Sequence, residues 1–533
     1  MAAAIIGSSR SVAVSAVVVA LTACHPAPPR GPALATIDPA AQALLDAWAD
    51  AAGGRDALAR ITHTHVRAHV HRGGLDGVVE TWSDSTGRVR EDLVLGGFLR
   101  DTTIFDGVHG WDVDRNGWVR ALAGVELEDE LAQAFTDTGA ALLPERRAGT
   151  VRATPSGELV LAAAGSRATT TIELDPATHL PRAYLRQRGD KHYRLELSDW
   201  RDSRGVRTAF ASRSTSDDPN DAATVTVDSI DDAPPPPHAF ERPPARASDA
   251  VFDAAARDGV VELPIDVTTG GIVMVSATVN GHKLDFILDS GSEGSALNAA
   301  RLAALGLASA GTFAAGAPGG DTLISYVQHV TFELPGVSVR DQTVATLHFE
   351  QVEPMFGRPI DGILGYDFLS RFAVELDYPR ARLRLHDPAR FTHDAARAIP
   401  ITLEGSLPWT DATIEVPGRA PLAGHFILDT GCTCQITFTS PFTDSNHLLD
   451  SVHAAALGSF AGAGGETRAV TGEIGALTIG PTTIERPSAE FSRDEHGATA
   501  DPDSAGLIGA QTFRRFVLVL DYAGSRVWLD PAS

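Results

Sequence analysis

The chain has 533 residues, of which 44 are Lys or Arg and 68 are Asp or Glu, so its formal net charge is −24 at pH 7. This length is too great for one hydrophobic core and predicts several domains. Hydrophobic and charged fractions of 43% and 21% exclude wholesale disorder. The negative charge argues against a nucleic-acid partner, because binding phosphates requires clustered Lys and Arg. Fifty glycines and 32 prolines indicate many turns and favour strand over helix.

The first segment is predicted to be a targeting sequence and not part of the fold. Residues 11–20 form an apolar run too short to span a bilayer, and residues 21–24 read Leu-Thr-Ala-Cys. This pattern resembles the signal of bacterial lipoproteins, which implies removal of residues 1–23 and lipidation of Cys24. An ordinary secretory signal with an incidental Cys24 is the alternative. With a tether over residues 24–37, we expect an exported protein of the bacterial cell envelope, anchored to the membrane by its lipid and facing the periplasm.

Residues 38–245 are predicted to form a β-rich domain that begins with a helix. Asp38 is a candidate N-cap, Pro39 occupies the first helical position, and Gly53-Gly54 is expected to end the helix. Short alternating segments between turns then predict an antiparallel sheet, namely Thr62 to Val70, Val78 to Trp82, Val89 to Leu95 and Thr169 to Leu174. A proline-rich stretch closes this region, and residues 246–261 are expected to be a linker.

Several short motifs in this block resemble the periplasmic lipoprotein-carrier fold, an incomplete antiparallel barrel wrapped on a helix. They are the opening helix with its glycine pair, Phe105-Asp106-Gly107, Gly110-Trp111, the stretch Leu174 to Pro181 and the closing Phe240 to Pro243. The resemblance implies an antiparallel half-barrel with a helix. It names no ligand, so a scaffold and a pocket for a hydrophobic ligand both remain open.

Four histidines of the first predicted strand are candidates for a metal site. In a strand they share one face, opposite three apolar residues. The histidines are His63, His65, His69 and His71, and the apolar residues are Val66, Ala68 and Val70. A row of imidazoles can bind a transition metal, whereas the alternative is a solvated strand face above an apolar core. No Asp, Glu or Cys lies at ligand spacing nearby in the sequence, so we favour the solvated face and predict no metal and no cofactor.

Beyond residue 260 the sequence repeats itself. Each copy has an apolar run that ends in an acid and a glycine, Phe286 to Ser292 (Phe-Ile-Leu-Asp-Ser-Gly-Ser) and Phe426 to Cys432 (Phe-Ile-Leu-Asp-Thr-Gly-Cys). A glycine-rich stretch, a hydrophobic strand ending in glycine, a short helical segment and a closing strand follow in the same order. The glycine-rich stretches are 311–320 and 458–465, and the strands ending in glycine are 361–365 and 505–509. The repeat predicts two similar β-rich domains, residues 262–392 and 398–532.

The repeat resembles the aspartic proteases of the retropepsin and pepsin type. In that family an apolar strand delivers Asp-Thr/Ser-Gly into a loop between two lobes, a second strand and a short helix support the loop, and a glycine-rich hairpin forms a flap. The resemblance implies a mainly β fold with two acid-protease lobes in tandem, and a catalytic pair, Asp289 and Asp429. Two close carboxyl groups resist double ionisation and share one proton, so the pair can activate a water and donate to a carbonyl oxygen, as aspartic proteases do.

The resemblance also implies roles for the neighbours of the two aspartates. Ser290 and Thr430 are expected to brace the two loops through hydroxyl hydrogen bonds. Gly291 and Gly431 are expected to allow the tight backbone approach that the loops require. Because each lobe supplies one carboxyl group and both lobes lie on one chain, no oligomer is required.

A few residues depart from the family's pattern. The residue after the Asp-Thr/Ser-Gly motif is usually Ala or Ser, which Ser292 satisfies and Cys432 does not. Cys432 and Cys434 are spaced for metal binding, but no His or Cys cluster lies close in the sequence, and we predict packing residues instead. With Cys24 assigned to lipidation, no disulfide framework is expected. Tyr326 is the nearest candidate for the family's flap tyrosine, without a counterpart in the second copy.

The predicted function is an aspartic-type endopeptidase of the cell envelope, a hydrolase that acts on peptide or protein substrates. One alternative is a non-catalytic envelope lipoprotein that keeps the protease fold for peptide binding or assembly. Loss of one aspartate would favour that alternative, and both aspartates are present. Another alternative is that the two lobes do not face each other and that the protein dimerises. The separation of Asp289 and Asp429 distinguishes this last case.

Overall fold

The computed structural model describes residues 37–246, 248–350, 352–452, 456–462 and 464–532. The predicted signal peptide, Cys24 and nearly all of the tether lie outside the described residues. The chain is mainly β, with 49% strand and 15% helix, which confirms the predicted fold class. It divides into two compact units, an N-terminal unit that ends at Arg246 and a C-terminal unit over the residues that follow. No described helix is long and apolar enough to cross a membrane.

Thirteen strands of the N-terminal unit form one antiparallel sheet with helices packed on it. The helices are α1 Pro39–Ala51, α2 Arg55–Arg60 and α3 Gly124–Asp137. The strands are β1 His63–Arg72, β2 Leu75–Asp84, β3 Val89–Leu95, β4 Leu99–Phe105, β5 Gly110–Val113, β6 Val119–Ala121, β7 Gly149–Ala153, β8 Leu159–Ala163, β9 Thr169–Leu174, β10 Pro181–Arg188, β11 Lys191–Ser203, β12 Val206–Ser216 and β13 Ala223–Asp231. Their order is β6-β5-β4-β3-β2-β1-β13-β12-β11-β10-β9-β8-β7. Helices α1 and α3 contact the β7–β9 end of this sheet.

The local signals at the start of this unit produce the predicted elements. The Asp38 carboxylate accepts a hydrogen bond from the Ala40 amide (3.1 Å) and caps α1. At Gly53 the backbone has a φ of 115°, and a Cβ there would lie 2.5 Å from the Gly205 carbonyl oxygen, so only glycine fits after the helix. The four predicted strands appear as β1, β2, β3 and β9.

The histidines of β1 lie on its more exposed face, and the three apolar residues opposite them are buried. Each histidine has its own oxygen partner. The pairs are His63 with the Asp232 carbonyl, His65 with Asp231, His69 with Asp228, and His71 with Asp76. No group of three or more His, Cys, Asp or Glu side chains arranged to hold a metal occurs among the described residues. The arrangement is that of a solvated strand face with separate ion pairs.

The first half of the C-terminal unit has twelve described strands, nine of which form one sheet. Its strands are β14 Ala250–Phe252, β15 Val260–Pro264, β16 Asp266–Val267, β17 Val273–Val279, β18 His282–Leu288, β19 Ala296–Asn298, β20 Ala310–Ala317, β21 Gly320–Leu334, β22 Val337–Leu347, β23 Gly362–Leu364, β24 Ala373–Asp377 and β25 Arg382–His386. Its helices are α4 Glu353–Phe356 and α5 Tyr366–Leu369. The sheet order is β14-β22-β19-β23-β18-β17-β21-β20, with β16 paired to β17.

The second half repeats this plan with thirteen described strands, ten of which form one sheet. Its strands are β26 Ile399–Pro400, β27 Thr402–Glu404, β28 Leu407–Glu415, β29 Leu422–Asp429, β30 Ile436–Phe438, β31 Ala456–Gly462, β32 Gly465–Glu473, β33 Ala476–Ile479, β34 Thr482–Glu485, β35 Ser488–Ser492, β36 Gly506–Gly509, β37 Phe516–Asp521 and β38 Arg526–Pro531. Its helices are α6 Ser440–Ser445 and α7 Ala510–Phe513. The sheet order is β31-β32-β35-β30-β36-β29-β28-β33-β34, with β27 paired to β28.

Strand pairing shows that the two halves are equivalent and joined. In the first half β23 runs parallel to β18 and antiparallel to β19. In the second half β36 has the same relation to β29 and β30. A six-stranded sheet, ordered β15-β25-β24-β37-β38-β26, takes three strands from each half, and β24 pairs with β37 at its centre. The sequence repeat therefore corresponds to two copies of one topology.

Residues 246–261 were expected to be a linker, but part of this segment forms strands of the first half. It contains β14, which pairs with β22, and the start of β15. Between the units' boundary and β14, the Asp249 carboxylate binds the buried Arg371 guanidinium through two hydrogen bonds of 2.9 and 3.2 Å. A buried guanidinium requires a counter-charge, so this segment is held as part of the first half.

Candidate active site

Each predicted catalytic aspartate lies at the end of an apolar strand that is paired with a neighbouring strand on each side. Asp289 follows β18, and its amide donates to the Leu364 carbonyl of β23 (3.0 Å). Asp429 ends β29 and pairs with Gly509 of β36. Because β23 and β36 are buried along their whole length and paired on both edges, the two loops leave the sheets at fixed points.

The structure brings the two aspartates together inside one chain. Asp289 is 1% exposed and Asp429 is 0% exposed, and the Asp289 carboxyl group lies close enough to that of Asp429 to affect its pKa. A Cβ on Gly291 would lie 2.4 Å from Cγ of Asp429, and a Cβ on Gly431 would lie 2.4 Å from Cγ of Asp289. Each loop therefore passes directly beside the opposite carboxyl group, and glycine is the residue that leaves room for it.

Ser290 and Thr430 tie the two loops to each other. The Ser290 hydroxyl donates to the Leu428 carbonyl (2.7 Å) and accepts from the Thr430 amide (3.0 Å). The Thr430 hydroxyl donates to the Leu288 carbonyl (2.8 Å) and accepts from the Ser290 amide (2.9 Å). These four bonds are buried and reciprocal, so a shift of either loop breaks contacts to both.

Burial controls the charge of the pair. Loss of solvation raises the pKa of Asp429 to about 6, against the opposing hydrogen bonds from the Gly431 amide, from Asp289 and from the Cys432 amide. The Gly431 amide lies 2.7 Å from Asp429 Oδ1, and the Gly291 amide lies 2.8 Å from Asp289 Oδ1. A pair of buried carboxyl groups in contact is most stable when it holds one proton.

Two tyrosines that our sequence analysis did not assign to the site lie near the pair. Burial raises the pKa of Tyr378, and the charge of Asp429 raises it further. Burial likewise raises the pKa of Tyr522, with smaller contributions from Tyr366 and Asp289. Each tyrosine follows the closing strand of its own half, and the aspartate that raises its pKa belongs to the other half. The repeated Asp-Tyr at the end of the closing strands was the signal that could have identified them.

Both predicted glycine-rich stretches form hairpins, and their tips meet. They are β20–β21 and β31–β32. The Gly464 amide donates to the Pro318 carbonyl (3.0 Å), and a Cβ on Gly464 would lie 2.1 Å from the Gly320 carbonyl oxygen. Tyr326 pairs with Ala310 at the base of the first hairpin, away from its tip. Small residues at both tips are therefore what permits their contact.

Cys432 and Cys434 are packing residues, as predicted, and they are also bonded to each other. Both are buried in a cluster with Leu407, Trp409, Ile427 and Leu507. Their sulfurs form a disulfide across one intervening residue, with the Cα atoms 5.3 Å apart, inside the range that a disulfide spans. This bond was not predicted from the sequence, because a spacing of two does not by itself bring two cysteines together.

Comparison with known families agrees with the first half of this site. Residues 275–368 match the family model for aspartyl proteases, a stretch that runs from β17 into α5 and includes Asp289. The match supports a hydrolase of the aspartic protease type in general. No curated protein matches the chain.

Replacing Asp429 with Asn tests the charge state of the pair. Folding raises the pKa of Asp429 from 3.8 to about 6, so its contribution to stability is fully present below about pH 4 and is lost as the pH rises through 6. The free energy of unfolding of the wild type minus that of Asp429→Asn should therefore fall by about 2 kcal/mol from about pH 4 to pH 7, in urea or thermal unfolding.

The exposed Asp258 provides the control for this measurement. Asp258 lies in the same unit with a φ of 54°, a backbone conformation that Asn tolerates, so Asp258→Asn should follow the wild type across the pH range. A difference between wild type and Asp429→Asn that stays constant or grows with pH would contradict the raised pKa.

Proposed function

We propose that the chain is an aspartic-type endopeptidase that hydrolyses peptide bonds with a water activated by Asp289 and Asp429. The observation that carries this proposal is the contact of two buried carboxyl groups, one from each half, inside loops braced by Ser290 and Thr430. The match of residues 275–368 to aspartyl proteases supports the same chemistry. Both lobes lie on one chain, so the proposal requires no dimer.

The chemistry follows from one proton on two carboxyl groups. The ionised carboxylate accepts a proton from a water, whose oxygen attacks the carbonyl carbon of the peptide bond, and the protonated carboxyl group donates its proton to the carbonyl oxygen. The tetrahedral intermediate then collapses: the protonated carboxyl group donates its proton to the amine nitrogen, the other carboxylate takes a proton from a hydroxyl group of the intermediate, and the C–N bond breaks, so that the pair again holds one proton. Each aspartate thus alternates between base and acid, which requires both.

The pair of hairpins is proposed to act as two flaps over the bound peptide. Support comes from their glycine-rich tips, which touch each other, and from the resemblance of the repeat to retropepsins and pepsins. A substrate would have to separate the tips on entry. Closure of such hairpins excludes water and positions the peptide.

We further propose that the protein acts outside the cytoplasm, anchored by lipid at Cys24. The Leu-Thr-Ala-Cys pattern supports this location. The Cys432–Cys434 disulfide supports it independently, because disulfides persist in oxidising compartments such as the bacterial periplasm. The N-terminal unit, a thirteen-stranded antiparallel sheet with packed helices, agrees with the proposed lipoprotein-carrier-like fold.

Asp289→Asn and Asp429→Asn test the proposed dyad. Each change removes one carboxyl group and nearly keeps its shape, so kcat/KM on a peptide library should fall by about 10³-fold or more, with unchanged circular dichroism. The wild-type pH–rate profile should be bell-shaped, with its alkaline limb near the Asp429 pKa of about 6, because the acid is lost when both groups ionise.

Asp258→Asn, at the exposed site described above, should keep wild-type activity. Retained peptidase activity in Asp429→Asn would refute the dyad. Wild-type protein that binds peptides and cleaves none would instead favour the non-catalytic alternative.

Gly464→Ala tests the flaps. The new methyl group would meet the Gly320 carbonyl oxygen at 2.1 Å and force the two tips apart, so KM should rise and kcat/KM should fall by about tenfold. Gly316→Ala is the matched control in the first hairpin, because a Cβ there meets nothing within 4 Å, and it should behave as wild type. Equal kinetics for the two variants would contradict a role for the tip contact.

The lipid anchor is tested by mass spectrometry of protein purified from the native host. We expect loss of residues 1–23 and added acyl mass on Cys24. An intact Met1 or an unmodified Cys24 would overturn this part of the proposal.

A further inference from the structure

The loop after each aspartate is closed by a link between the third and fifth residues beyond it, and the two halves use different chemistry. In the first half the Ser292 hydroxyl donates to the Gly294 carbonyl (2.7 Å). In the second half the equivalent residues, Cys432 and Cys434, are joined by the disulfide. The same local closure is thus a hydrogen bond in one loop and a covalent bond in the other.

The backbone of the disulfide loop is held in the same way as that of its counterpart. The Ala510 amide donates to the Cys432 carbonyl (2.9 Å), as the Tyr366 amide does to the Ser292 carbonyl (3.0 Å). The disulfide is closely packed between the start of α7 and the apolar cluster that surrounds the two cysteines. A Cβ on Gly509 would lie only 2.4 Å from Cys434 Sγ. Close packing leaves no space for two separated thiols without a shift of the loop.

This loop touches both the reacting group and the other half of the unit. The Cys432 amide donates to the Asp429 backbone carbonyl (3.4 Å), and it lies close enough to the Asp429 carboxyl group to lower its pKa. Between the two cysteines, Thr433 packs on the first half, where a Cβ on Gly270 would lie 2.8 Å from Thr433 Cγ2. A shift of the loop would therefore move the Asp429 carboxyl group and disturb the contact of the two halves at the same time.

We propose that the Cys432–Cys434 disulfide is a positioning element of the second catalytic loop, and that peptidase activity depends on the bond being intact. This inference rests on the proposed function. Reduction by a dithiol breaks the S–S bond by transferring two electrons and two protons, which yields two cysteine thiols and the cyclic disulfide of the reductant. The freed sulfurs must separate to van der Waals distance, which displaces Cys432 and its amide from Asp429.

The test compares two double variants in the full chain. Cys432→Ala/Cys434→Ala removes the link, whereas Cys432→Ser/Cys434→Gly installs the residues with which the first half closes its own loop. The alanine pair should lower kcat about 10- to 100-fold with little change in KM, as a small misplacement of a reacting group does. The alkaline limb of its pH–rate profile should move to higher pH, because the Cys432 amide no longer stabilises ionised Asp429. The serine–glycine pair should recover most of the activity.

Reduction provides a second readout on the wild type. After incubation with dithiothreitol, thiols are trapped with iodoacetamide and counted by mass, and the loss of activity should match the trapped fraction and reverse on reoxidation. Both variants should be insensitive to the reductant. Wild-type kcat and an unmoved alkaline limb in the alanine pair, or full activity in trapped, reduced protein, would overturn the proposal. Absence of Asp289-dependent activity in the wild type would instead refute the proposed function itself.

Discussion

Each of the two loops that carry an aspartate is held in place by a hydroxyl group of the other loop. Ser290 and Thr430 exchange four buried hydrogen bonds across the boundary between the halves. Burying two carboxyl groups in contact is unfavourable by several kcal/mol per ionised group, and they repel each other when both are charged. The reciprocal bonds prevent the loops from moving apart to relieve that repulsion, so the pair retains a proton instead. Burial raises the pKa of Asp429, which favours retention of that proton.

The rest of the C-terminal unit holds the two loops in contact. Strands β24 and β37 join the halves in one six-stranded sheet, and the chain connects them covalently. Because both halves lie on one chain, each is present to the other at a high effective concentration whatever the protein concentration. A single chain also permits the halves to differ. The closing link after Asp289 is a hydroxyl hydrogen bond, and the link after Asp429 is a disulfide, although both loops have the same path.

Much of this arrangement could be predicted from the sequence, because it depends on local patterns and on the repeat. The cap at Asp38 and the glycines after it define the first helix whatever the rest of the chain does. Two apolar runs ending in Asp and a small hydroxyl residue, each followed by the same later parts, identified two equivalent halves and the positions of Asp289 and Asp429. The resemblance implied that the two loops would meet, but the sequence left open whether they meet within one chain or between two chains.

What the tertiary structure alone decided are contacts between residues that no local pattern connects. Asp249 belongs to the first half because the buried guanidinium of Arg371, far along the chain, requires its charge. His65 and His69 obtain carboxylate partners from β13, far along the chain, so these contacts were invisible at sequence spacing. Cys432 and Cys434 could have been two packed thiols, and only the turn that brings their Cα atoms to 5.3 Å makes them one disulfide. The sequence by itself determined which residues recur and which strands they end; distance, burial and charge in the folded chain determined which of them act on each other.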